Sequence, residues 1–305
     1  MAREIPDRQR VPVGGVSISH PGRVIYPDLG LTKLDIARYY DEVADRMLRH
    51  VTGRPLTLLR CAGPIDAAVD KGGCTMLRHG KAWGPSLIRR VRIRELHKTG
   101  EYLVADTRAA LVGLAQMGVV EIHTWNARAE TAYEHDRVVV DLDPGPEVAW
   151  ADVVDAAKHV RQMLADVRLK SWVKTTGGKG LHVVAPIQPT DVDACLNFAR
   201  GFAAALVRDA PARFTIANVK AGRERQILID VLRNNRTNTS VAAYSLRARP
   251  GAPVSFPVAW DDLTPRLRPA AFTLASIRAR TRRDPDAWSD YWTARQRLPA
   301  LRPQS

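Results

Sequence analysis

Apolar positions along this chain follow two periods, and their alternation predicts an α/β (α+β) fold. The continuous run Val138-Val139-Val140, stopped by Pro144-Gly145-Pro146, predicts a buried strand over Arg137 to Leu142. Helical spacing of Val153, Val154, Ala157, Val160, Met163 and Leu164 then predicts a helix from about Val148 to Val167. A strand through Trp172 and Val173, another over Leu181 to Pro186, an apolar helix over Cys195 to Val207 and a strand over Gln226 to Leu232 continue the series. Upstream, Thr32 and Asp35 have the spacing of a capping box, opening a helix that packs through Ala37, Tyr40, Ala44, Met47 and Leu48. Short strands and loops are expected from about Arg54 to Thr99, followed by a helix over Thr107 to Gly118 and the strand-like VVEIHTW. Because the loop at Gly177 joins strand to strand, simple parallel winding is excluded, and the expected architecture is a mixed β-sheet core with flanking helices.

This pattern divides the chain into a polar leader over 1–19, one large domain over 20–262, and an Arg/Pro-rich tail over 263–305. The tail is expected to restart a helix at Asp284-Pro285, where proline suits the first helical position, and to pack on the domain or lead into a linker.

Charge narrows the partners. Lys and Arg number 46 against 32 Asp and Glu in 305 residues, a formal net charge of +14 that calls for a polyanion, nucleic acid first. The charged N-terminus lacks the apolar core of a signal peptide, and no apolar run approaches the roughly 20 residues of a membrane span. A cytoplasmic, nucleoid-associated protein with no membrane partner is expected. The cysteines Cys61, Cys74 and Cys195 are too scattered for a disulfide framework and are expected as reduced thiols. A zinc site from Cys61, Cys74 and His79 would lack a close cysteine pair and an evident fourth ligand.

Candidate chemistry centres on carboxylates. Asp141 and Asp143, two residues apart at a strand end, point to the same side. Such neighbours resist joint ionisation unless a cation lies between them, which suits hard divalent ions such as magnesium or manganese in a two-metal site. The alternative is that Asp143 caps the following helix and Asp141 is a hydrogen-bonded strand residue. Asp230, embedded in Ile227-Leu228-Ile229-Asp230-Val231, favours the metal reading, since a buried carboxylate is costly without a partner. Between these aspartates lies Thr176-Gly177-Gly178-Lys179, which matches neither a Walker A loop nor a dinucleotide fingerprint. Its glycines let backbone amides approach an anion, Lys179 adds a point charge and Thr176 a hydroxyl; the alternative is a tight hairpin turn with a solvated lysine. His182 can return to the same site from the next strand. A nuclease could use the same carboxylates, a glycosyltransferase would leave Asp230 and the basic surplus unused, and a non-catalytic DNA-end-binding module would keep the aspartates as structural residues.

Together these motifs resemble the polymerase domain of bacterial DNA ligase D, a branch of the archaeo-eukaryotic primase superfamily. DLDPGP is similar to its first metal motif, TTGGKGLHV to its nucleotide-phosphate motif and RQILIDVLRNN to its third-aspartate motif, in the same order. The likeness extends over HPGRVIYP, TKLDIARYY, VEIHTW and TSVAAYSLRARPGAPVSFPVAW, from about His20 to Trp260. It implies a primase-polymerase fold over 20–262 and a manganese- or magnesium-dependent nucleotidyltransferase. That enzyme would fill gaps and extend DNA ends in non-homologous end joining, preferring ribonucleotides. By resemblance, Asp141, Asp143 and Asp230 hold metals, and Thr176, Gly177, Gly178, Lys179, His182, His123, Arg223 and Arg247 bind the nucleotide. Arg23 and Lys33 fall where the family recognises the 5′-phosphate of gapped DNA. A Ku-type end-binding protein and a ligase are partners that the family implies. One departure stands out: where the family commonly carries Cys-Phe-Phe-Gln-Lys-His, this chain has Cys74-Thr75-Met76-Leu77-Arg78-His79, trading ring stacking on bases for aliphatic wedging.

Overall fold

The computed structural model describes residues 10–65, 73–80, 86–95, 97–219, 221–283 and 285–299. The chain forms two compact units. One comprises Met1–Trp125, Val241–Ser255 and Ala270–Pro285, the other Asn126–Ser240, Phe256–Pro269 and Asp286–Ser305.

In the first unit, β1 (Val11–Val13) and β2 (Val16–Ile18) form a hairpin. The expected polar leader is therefore structured from Val11; the strands are too short to show as periodicity, and the turn is carried by Gly14 and Gly15 at φ 51° and 80°. β3 (Val24–Tyr26) pairs with β4 (Leu31–Thr32). Thr32 then caps α1 (Lys33–Glu42), and the Asp35 carboxylate accepts from the Thr32 amide at 2.8 Å, completing the capping box. The single helix expected from there breaks at Val43 and resumes as α2 (Ala44–Val51), although Ala37, Tyr40, Ala44 and Met47 are all buried as the spacing predicts. The sheet of this unit comprises β5 (Leu56–Cys61), β6 (Cys74–Leu77), β7 (Arg89–Arg94), β8 (Thr99–Val104) and β9 (Val119–Thr124). β5 lies between β9 and β8 and also pairs with β6, while β15 (Ser240–Val241) lies beyond β9. α3 (Arg108–Gln116) is capped by Thr107. α6 (Leu274–Arg283) is tied to α1 by an Arg278–Glu42 ion pair. The helix expected to start at Asp284-Pro285 is not formed: α6 ends there, the following residues are turn and 3-10 structure, and Asp284 itself lies outside the described residues.

Register also corrects the reading of the cysteines. Cys61 faces Cys74 across the β5–β6 ladder, and the two are disulfide-bonded, so neither is a free thiol or a zinc ligand. His79 instead lies 2.8 Å from Glu95. Cys195 is a buried thiol, its pKa pushed up to about 12 by burial and by Asp191 and Asp136.

The second unit holds β10 (Glu134–Pro144), α4 (Trp150–Asp166), β11 (Trp172–Thr175), β12 (Leu181–Asp191), α5 (Val192–Asp209), β13 (Phe214–Thr215), β14 (Ile227–Asp230) and β16 (Pro257–Val258). Strand order is β13-β14-β10-β12-β11-β16, antiparallel except for the parallel β13–β14 pair, giving the mixed sheet expected from the strand-to-strand loop. β10 is interior to the sheet, which explains why Val138, Val139 and Val140 are all buried and why its sequence does not alternate. α4 and α5 pack against β10 and β12. α4 starts after Ala149 with no side-chain cap, so Asp143 does not cap it. Asp191 caps α5, four residues upstream of the expected Cys195 start once the cap is counted. The tail adds Trp288 and Tyr291, which pack on Val139, Trp172 and Val184, with Trp288 Nε1 donating to the Val173 carbonyl at 3.0 Å.

Candidate active site

Register places the chemistry of the second unit in one row. Asp141 faces Asp230 on β14 and His182 on β12, and His182 faces Lys174 on β11. Residues directly opposite across antiparallel strands share a face. Lys174, His182, Asp141 and Asp230 therefore line up across four strands, with Asp143 two residues further along β10 on the same side. A one-residue slip of β14 would have turned Asp230 away.

The aspartates differ in surroundings. Asp141 is buried, with Oδ1 3.4 Å from His182 Nε2 and Oδ2 accepting from Arg233 Nε at 2.9 Å. Burial opposes its ionisation, but His182 and Arg233 more than offset this and hold the carboxyl well below the usual range. Burial and the charge on Lys174 lower His182 to about 4 despite the attraction of Asp141. Asp230 is raised above its ordinary value by burial and by Asp141 and Asp143, against the pull of Arg233, whose Nη2 lies 3.1 Å from Asp230 Oδ2. Asp143 is exposed and accepts from Arg223 Nη2 at 3.2 Å.

Arg233 was not legible from spacing alone. It sits in a 3-10 turn, Val231–Asn234, directly after Asp230. Asn234 fixes that turn: its side-chain oxygen accepts from the Val139 amide at 2.8 Å and its amide donates to the Val139 carbonyl at 2.7 Å. The Asn234 side chain thus replaces the peptide with which β14, now ended, would have paired that residue of β10. Asn126 adds a donor to the Arg233 carbonyl at 3.1 Å. The only sequence signal was the polar run Arg233-Asn234-Asn235 following an apolar strand.

The glycine-rich segment is a hairpin turn between β11 and β12. Thr176 Oγ1 donates to the Gly180 carbonyl at 3.1 Å, and Gly177 adopts φ 70°. A Cβ at Gly180 would stand 2.3 Å from the Leu142 carbonyl, so only glycine lets the turn close against the end of β10 beside Asp141 and Asp143. Lys179 is exposed at its tip.

The remaining sequence candidates lie in the first unit. His123 Nε2 is 2.8 Å from Glu121 Oε2, and Arg247 Nε is 3.0 Å from the same oxygen. Glu121 is buried, and its Oε1 accepts from the Ala248 amide at 2.8 Å. Burial disfavours its charge, but the His123 hydrogen bond and Arg247 more than compensate and hold it at about 2. Glu121 thus orients both candidates; a carboxylate inside the apolar run Val119-Val120-Glu121-Ile122 was its signal. Lys33 is buried, with Nζ donating to the Ser19 carbonyl at 3.0 Å. Burial and the neighbouring charges of Arg23 and Arg60 lower it to about 8. Arg23 Nη1 contacts the Ala62 carbonyl at 3.4 Å. Met76 is exposed on β6.

Residues 32–288 match the LigD primase-polymerase domain. The chain belongs to this family. It is 35% identical over 296 residues to the multifunctional non-homologous end joining protein LigD of Pseudomonas aeruginosa, covering 95% of this chain and 34% of the relative. The LigD of Mycolicibacterium smegmatis is 31% identical over 263 residues, covering 84% and 34%. The chain thus spans about a third of the length of these LigD proteins. The solved polymerase domain of Mycobacterium tuberculosis ligase D, in complex with DNA, superimposes with a TM-score of 0.83 at 29% identity, covering 90% of this chain and 97% of that one. The mixed-sheet α+β fold is therefore that of LigD polymerase domains. Among the described residues, no helix is long and apolar enough to cross a membrane.

Proposed function

We propose that the chain is a nucleotidyltransferase that adds nucleotides, ribonucleotides by preference, to a primer 3′-hydroxyl at DNA gaps and ends during non-homologous end joining. The observation that carries this reading is the direct opposition of Asp141 and Asp230 across β10 and β14, with Asp143 on the same face and the glycine turn closing on the same strand end. The 3′-oxygen bonds to the α-phosphorus of the incoming nucleotide, the bond to the β-phosphate oxygen breaks, pyrophosphate leaves and the hydroxyl proton is released.

Three hard oxygen donors fit magnesium or manganese. Their placement supports that fit: Asp141 and Asp230 face each other across β10 and β14, and the Asp230 pKa is raised by burial first and then by Asp141 and Asp143. Asp141, Asp143 and Asp230 would hold the ions, whose chemistry is to stabilise charge on the attacking and leaving oxygens. The protein's own groups bind and orient. Thr176, the amides of Gly177 and Gly178, Lys179 and Arg223 bind the triphosphate, and His182 keeps Asp141 in place. In the first unit, nucleotide binding is assigned to His123 and Arg247, and recognition of a 5′-phosphate to Arg23 and Lys33. A Ku-type protein, a ligase and a cytoplasmic, nucleoid-associated setting complete the proposal on family grounds.

The test is primer extension on a 5′-phosphorylated gap, comparing ribo- with deoxynucleotides and manganese with magnesium. Asp143→Ala and Asp230→Ala are expected to abolish extension while leaving DNA binding largely intact; near-normal extension by either would overturn the assignment. Binding without incorporation by the unmodified protein would indicate a non-catalytic end-binding module, and strand shortening a nuclease.

A further inference from the structure

All three candidate metal ligands are engaged by guanidinium groups. Arg233 bridges Asp141 and Asp230, at 2.9 Å and 3.1 Å, and Arg223 holds Asp143 at 3.2 Å. Among the described residues, no set of three or more His, Cys, Asp or Glu side chains stands ready to hold an ion. We propose that Arg233 is a built-in counter-cation of the Asp141–Asp230 pair, which a divalent metal must displace, so that this residue sets the affinity of the site for metal. The inference rests on the nucleotidyltransferase reading for the identity of the displacing ion, but concerns a residue to which that reading gives no role.

Three observations support it. First, the placement is built: Asn234 pins the turn to Val139 and Asn126 holds the Arg233 carbonyl, so the guanidinium is delivered to the carboxylates by a fixed backbone. Second, one guanidinium spans both carboxylates: its Nε lies 2.9 Å from Asp141 Oδ2 and its Nη2 3.1 Å from Asp230 Oδ2, with Asp141 and Asp230 facing each other across β10 and β14. Third, the side chain has room to leave: it is 39% exposed, while Asp141 and Asp230 are 8% and 15% exposed. An extended guanidinium can turn to solvent or to a bound anion while the short carboxylates stay. A metal that lodges here gains its ligands only after breaking a charge-assisted hydrogen bond to Asp141 and an ion pair to Asp230, which weakens its apparent binding.

The experiment is Mn2+ titration of the full chain, without nucleotide or DNA, followed by electron paramagnetic resonance of the free ion and by thermal unfolding. Arg233→Gln is expected to bind Mn2+ at least about tenfold more tightly than the unmodified protein, roughly the effect of removing one competing charge in a partly buried site. It is also expected to unfold at a lower temperature without metal and to be stabilised more by Mn2+. Arg233→Lys, which keeps the charge, should restore weak binding. Equal or weaker Mn2+ binding by Arg233→Gln would overturn the inference, and so would absence of binding in both proteins. Should Arg233→Gln fail to fold, Arg233→Lys and Asn234→Ser provide the comparison. Tighter binding in Asn234→Ser, whose turn is loosened, supports the inference, and unchanged binding in Asn234→Ser contradicts it, while Arg233→Lys is expected to bind Mn2+ as weakly as the unmodified protein. If the unmodified protein extends primers but its Mn2+ affinity ignores Arg233, this inference fails and the proposed function stands. If Mn2+ binds more tightly in the variant but the unmodified protein extends no primer, the reverse holds.

Discussion

Asn234 uses both ends of its amide on a single residue of β10, and so joins a strand end to the site it serves. Removing that amide leaves the buried N–H and C=O of Val139 without these partners, at about 1–3 kcal/mol for an unsatisfied group. Asn234→Ala is expected to lose about 2–3 kcal/mol in urea denaturation, with thermal unfolding shifted in the same sense. A second residue-scale consequence concerns acid. Glu121 has a folded-state pKa of about 2 against an ordinary 4.5, so its stabilisation is complete above pH 4.5 and is lost as pH falls towards 2. The stability difference between the unmodified protein and Glu121→Gln should therefore shrink as pH falls below about 4.5. A difference that instead grows on acidification would count against a charged Glu121. The sequence showed each only as a polar residue in or after an apolar run, because each role depends on a partner brought by the fold: Val139 lies 95 residues from Asn234, and Ala248 lies 127 from Glu121.

Among the elements, legibility followed the strength of local signals. The capping box at Thr32 and Asp35 was readable because both partners lie within one turn, and Thr32→Ala is expected to cost about 1 kcal/mol in a denaturant titration. The break at Val43 was hidden, since no glycine or proline marks it and the buried positions continue in helical spacing through it. Boundaries of β10 and β12 were read short: these strands extend beyond their apolar runs, to Glu134 and Asp191, through polar residues that pair with each other. Of the two readings its sequence allowed, an anion-binding loop and a tight hairpin with a solvated lysine, the glycine turn has the hairpin geometry, and it also closes on the carboxylate-bearing strand. Gly180→Ala should separate these roles, displacing the turn from Leu142, destabilising the hairpin and raising the KM for nucleotide.

Across the whole molecule, the surplus of 14 positive charges matters mainly as a field, while specificity belongs to a few placed groups. Lys33 and Arg23 are held by backbone carbonyls, and Lys33 carries a lowered pKa from burial and from Arg23 and Arg60. An added phosphate would relieve that repulsion. Arg23→Ala is expected to reduce the preference for a phosphorylated over an unphosphorylated gap, and to lower the salt slope of DNA binding by about 0.9 for each phosphate no longer neutralised. An unchanged slope would mean that Arg23 does not touch the DNA backbone. The motifs proposed the acidic set, but its contact with Arg233 came only from the turn after β14, and its row with His182 and Lys174 only from strand register, neither of which a local pattern encodes.

The aromatic end of the tail has a practical corollary. Trp288 and Tyr291 cover Val139, Trp172 and Val184, the row of the sheet adjoining the acidic one, and the Gln296 side chain latches the Lys170 backbone and the Pro186 carbonyl. Any shortened version of this protein has to be cut downstream of Gln296. A truncation at residue 285 would strip the greasy cover from the row beside the acidic side chains, so it is expected to unfold at a lower temperature, and its behaviour in any assay would report lost packing before lost chemistry.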